Sequence, residues 1–288
     1  MLVSPFPPSL SQRFEAGIAG LVYGCLATQG SQTPPSPEID RFWQRFKHRI
    51  TQVSQLDRPL PTVLEIAALE IPQSPDSPDY FWLSDLPWLW MLLQDPEGQR
   101  EWLTPQPDRR LVLLLAACEQ LTHGKFSPGR FSPPSDRLSP LLNSSSALPC
   151  IWETAVTLTE RSATLSQGLA HWQTATNLLP IAPDLKAIGI ALWLVWRSDH
   201  LSLSLALAQQ VTAQITEKHL LPLTGLLGGF AHAPFPWSLF SGVERAELKQ
   251  QSDRLFRAWA GYSHIAPDSP VGDRCSNSYQ SLKKESSA

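Results

Sequence analysis

Charge is scarce in this chain: only 17% of its 288 residues are Asp, Glu, Lys or Arg. The formal net charge is −3 and no block of Lys or Arg occurs, which argues against a surface that tracks nucleic-acid phosphates. Cysteine is equally sparse. Cys25, Cys118, Cys150 and Cys275 lie far apart with no CxxC pair, and they read as free thiols in a reducing compartment. No apolar run approaches the roughly 20 residues that span a bilayer. The longest candidate, Ala187 to Trp196, runs into Arg197 and Asp199. Met1 to Pro8 has no basic segment followed by an apolar one, so neither a signal peptide nor a membrane span is expected, and a cytoplasmic location is.

What the chain has in quantity is apolar side chains, proline and tryptophan. Hydrophobic residues make up 42%, enough for a large core in a chain of this length. The 11 Trp read first as core fillers and second as apolar surface for a partner. The 27 Pro punctuate a series of helical segments. Ser9 or Ser11 caps a helix running to about Thr28, and Phe14, Ile18, Leu21, Val22 and Cys25 share one face of it. A second helix is expected from Pro37 to Gln55, and others over Leu83–Leu93, Asp108–Thr122, Trp152–Ser162 and Gln167–Asn177. The series continues with Asp184–Arg197, Leu201–Ile215, His219–His232 and Val243–His264. Thr62 to Leu69 fits helix or strand. The expectation is an all-α, compact, orthogonal multi-helix bundle. Residues 1–265 form one domain, with a flexible Ser- and Pro-rich insert at 124–148 and a flexible polar tail at 266–288.

Two stretches carry a resemblance. The first is Phe14-Glu15-Ala16-Gly17-Ile18-Ala19-Gly20-Leu21-Val22-Tyr23-Gly24-Cys25-Leu26-Ala27. The second joins Lys186 to Leu194, Leu201 to Val211, and Gly225-Leu226-Leu227-Gly228-Gly229-Phe230 followed by Pro234 to Trp237. Their apolar and glycine framework resembles the first and last conserved blocks of the ADP-ribosylglycohydrolase family. That resemblance implies an all-helical fold and hydrolysis at a magnesium pair organised by several carboxylates. The acidic chemistry is missing here. Cys25 stands where the resemblance places an aspartate, and Thr216 and Lys218 stand where it places an Asp-x-Asp pair. A lysine is cationic and accepts nothing, so it does not replace a ligand of a hard cation. The Thr-Asp-Asp-Thr signature is absent too, its nearest fragment being Ser84-Asp85.

The remaining carboxylates offer Glu15, Asp85 and Glu217 as weak site candidates. Glu217, beside Thr216 and Gln214, reads either as a remnant one-metal ligand or as a solvated helix end with Lys218 and His219 in water, and the second reading is favoured. Seven histidines form no HxxxH or HxH pair. Ser198-Asp199-His200 has no nucleophile elbow, so cap, core or surface roles are favoured over a triad. Cys25, at a helix C-terminus, reads as buried and inert. Gly225 to Gly229 lacks the P-loop pattern and reads as a close-packing segment. Tyr80, Phe81, Trp82, Trp88 and Trp90 read as core before they read as a platform for a base or a partner. The leading expectation is a catalytically inactive ADP-ribosylglycohydrolase-like protein that binds an ADP-ribose-like ligand or a protein partner, with no cofactor. The alternatives are a divergent, magnesium-using hydrolase of ADP-ribosyl or related nucleotides, and a helical structural protein unrelated to the family.

Overall fold

Helix N-termini in this protein are set by short polar signals. A computed structural model describes residues 8–27, 37–54, 83, 109–123, 147–178, 181–215, 219–240 and 242–259. Among these residues there are nine α-helices, a 3-10 turn at Trp237–Leu239, a single 3-10 position at Leu83 and no strand. The helices are α1 Leu10–Ala27, α2 Pro37–Ser54, α3 Arg109–His123, α4 Ala147–Glu160, α5 Leu165–Leu178, α6 Pro183–Trp196, α7 Leu201–Thr212, α8 Leu220–Ala231 and α9 Gly242–Trp259. Ser9 and Gln12 open α1 reciprocally: Gln12 N–H donates to Ser9 Oγ (3.2 Å) and Ser9 N–H to Gln12 Oε1 (2.8 Å). Thr164 and Gln167 repeat the device at α5, at 3.0 and 3.3 Å. One boundary departs from expectation. α4 begins at Ala147, inside the insert expected at 124–148, because Pro149 falls in the first turn, where no intrahelical N–H donor is required. The segments 62–69 and 84–93, the aromatic residues around Trp88, and the tail at 266–288 lie outside the described residues; Leu83 alone of that region is described, and it is buried.

Two helices are apolar on every side, and both are central. In α6 every residue from Ala187 to Trp196 is buried, and in α8 every residue from Leu220 to Phe230 is. α8 packs against α1, α3, α6 and α7; α6 also packs against α3, α4, α5 and α7; α9 and α2 close the outer side of α1. No described helix is long and apolar enough to cross a membrane.

The tightest contact in the core is between the backbones of α1 and α8. A Cβ built on Gly20 would strike the Gly225 carbonyl, and one on Gly225 would strike the Gly20 carbonyl. Gly24 meets the Leu221 carbonyl in the same way, and Gly229 meets Ala16. Each step of four along α1 is matched by four back along α8, so the pair is antiparallel and glycines line the seam at one-turn spacing. Glycine costs a helix interior about 1 kcal/mol relative to Ala. Here it permits an approach that no side chain tolerates.

α5 and α6 make a different antiparallel joint. The Trp193 ring covers Gly168, and the Trp172 ring covers Gly189, whose Cβ would come within 2.5 Å of it. Trp152, Trp172, Trp193 and Trp196 are all buried, so these indoles serve the core.

The seam and its margin are separable by mutation. Gly20→Ala forces a methyl into the Gly225 carbonyl and is expected to cost about 3 kcal/mol or more, the upper end for overpacking. Gly228→Ala meets mainly the mobile tip of Leu201 (2.7 Å) and is expected to cost about 1 kcal/mol. Urea unfolding of both variants checks the order; equal losses would refute a backbone-limited seam.

Candidate functional site

Three helices begin at one end of the molecule. α6 opens with Pro183 at its first position, where the missing N–H is harmless, and Asp184 follows in the first turn. Arg110 is the second residue of α3, and His219 immediately precedes α8. These three side chains meet. Arg110 Nη1 lies 2.9 Å from Asp184 Oδ2, and His219 Nδ1 lies 2.9 Å from Asp184 Oδ1. Each carboxylate oxygen thus accepts from a different helix. Burial by itself would raise the Asp184 pKa, but the hydrogen bonds and charges of His219 and Arg110 outweigh it and hold the carboxyl below its ordinary value. The His219 side chain is 8% exposed, while Asp184 and Arg110 are 27% and 29% exposed. The cluster has a sealed side and a wet side.

His219 therefore departs from the solvated helix end read from the sequence. The N-termini of α6 and α8 meet closely enough for Asp184 to supply a buried partner, and the imidazole is covered in the process. Cys25 belongs to the same end. Gly24 is pressed against Leu221 and Pro222 in the first turn of α8, and the adjacent Cys25 is fully buried, its thiol pushed up out of the thiolate range by burial. Thr216, Glu217 and Lys218, just before His219, lie outside the described residues, as does Asp85.

Glu15 goes elsewhere. It pairs with Lys249 of α9 at 3.3 Å, near the C-terminal end of α8, about 16 Å along the helix pair from His219 at 1.5 Å per residue. The Ser198-Asp199-His200 run does not assemble a triad. Ser198 is buried and donates to the Leu194 carbonyl (2.6 Å), and His200 caps α7 by accepting the Leu203 N–H at Nδ1 (3.1 Å). Gly225 to Gly229 lies inside α8 against the backbone of α1.

Among the described residues there is no group of three or more His, Cys, Asp or Glu placed to hold a metal ion. The residues that are described at this end do not fit a magnesium pair. Asp184 is already committed to two nitrogen donors, and Cys25 offers a buried, protonated sulfur to an oxygen-seeking cation. What the arrangement does offer is a fixed guanidinium beside a carboxylate and an imidazole. Sequence reasoning passed over it: Asp184 reads as an ordinary first-turn acid, and Arg110 has nothing to single it out. No protein-family profile, no curated protein and no solved structure matches the chain.

Because its pKa is depressed on folding, Asp184 contributes stability that is present above the unfolded value near 3.9 and is lost as pH falls through the folded value. The stability advantage of wild type over Asp184→Asn is expected to hold from neutrality down to about pH 4 and to shrink below it. Denaturant midpoints of both proteins across that range measure it; a difference independent of pH would show that the carboxylate's charge is not involved.

Proposed function

We propose that this chain is a binding protein built on a helical frame of ADP-ribosylglycohydrolase type, without that family's magnesium-dependent hydrolysis. The observation that carries the reading is the position of Cys25. It is fully buried, next to the glycine that meets the first turn of α8, where the resemblance calls for an aspartate at a metal site. A thiol sealed in that way supplies neither the hard oxygen ligand nor the access to water that magnesium requires. The direct packing of the Phe14-containing helix on the Gly225-containing helix supports the frame, since the two blocks of the resemblance are adjacent in space. The ligand class that follows from the frame is an ADP-ribose-like molecule, recognised without being cleaved.

The test is an assay for release of ADP-ribose from an ADP-ribosylated arginine substrate, with millimolar magnesium and with chelator. No release above the uncatalysed rate is expected in either condition. Magnesium-dependent release that chelator abolishes would overturn the proposal.

A further inference from the structure

We draw no further inference here: the strongest candidate, the half-buried aromatic patch that Trp237 and Phe240 form with Tyr23 after the end of α8, already has Arg245 and Lys249 of α9 over its indole, and nothing in the structure shows what else covers it.

Discussion

The architecture depends on one contact, the backbone-to-backbone seam between α1 and α8. Gly20 and Gly225 occupy each other's side-chain space, and Gly24 and Gly229 extend the seam a turn in either direction. That closeness fixes the register of α1 on α8. It places Cys25 at the level of Leu221 and Pro222, and Glu15 at the far end beside α9. A seam limited by backbone atoms has no flexible side chain to yield, so small residues there are a steric requirement.

A second constraint is dipolar. His219 of the α8 end and Arg110 of α3 meet at the first turn of α6, and Arg13 reaches the other ends of α3 and α8. Its Nη1 donates to the carbonyls of Leu121 (3.1 Å) and Phe230 (2.7 Å). His232, closing α8, lies 3.3 Å from the Val195 carbonyl near the end of α6, and burial lowers its pKa. α3, α6 and α8 thus run parallel. Aligned helices reinforce one another's end charges, a carboxylate at the N-terminal pole and a guanidinium at the C-terminal pole being the stabilising pattern. Asp184 and Arg13 hold those places.

The all-α class and most helix limits were legible because they follow from short-range signals. Ser9, one of the two caps expected, opens α1, and the apolar spacing from Phe14 to Cys25 carries it. The glycines from Gly225 to Gly229 announced a close neighbour, though not its identity or direction. The ion-pair cluster was not legible. Arg110 and Asp184 are separated by 74 positions, and no local pattern forecasts that two helix starts will face each other. His219 was misplaced for the same reason: the sequence showed a polar helix end, and its burial is a property of the α6–α8 packing. The expectations at Asp85, Thr216, Glu217 and Lys218 fall outside the described residues.

The seam also sets an order of assembly. Arg13 and the Phe230 carbonyl, joined by a hydrogen bond, are 217 positions apart, so α1 leaves the ribosome long before its partner exists. At translation rates of about 5–20 residues per second, the wait is roughly 10 to 40 s. During that interval a glycine-rich helix with weak intrinsic propensity lacks the neighbour that its glycine seam fits. Closure of a loop that long waits on the synthesis of α8. The first helix of the chain is thus among the last to reach its final place, and the nascent protein must keep its most apolar N-terminal segment from other partners until α8 is made.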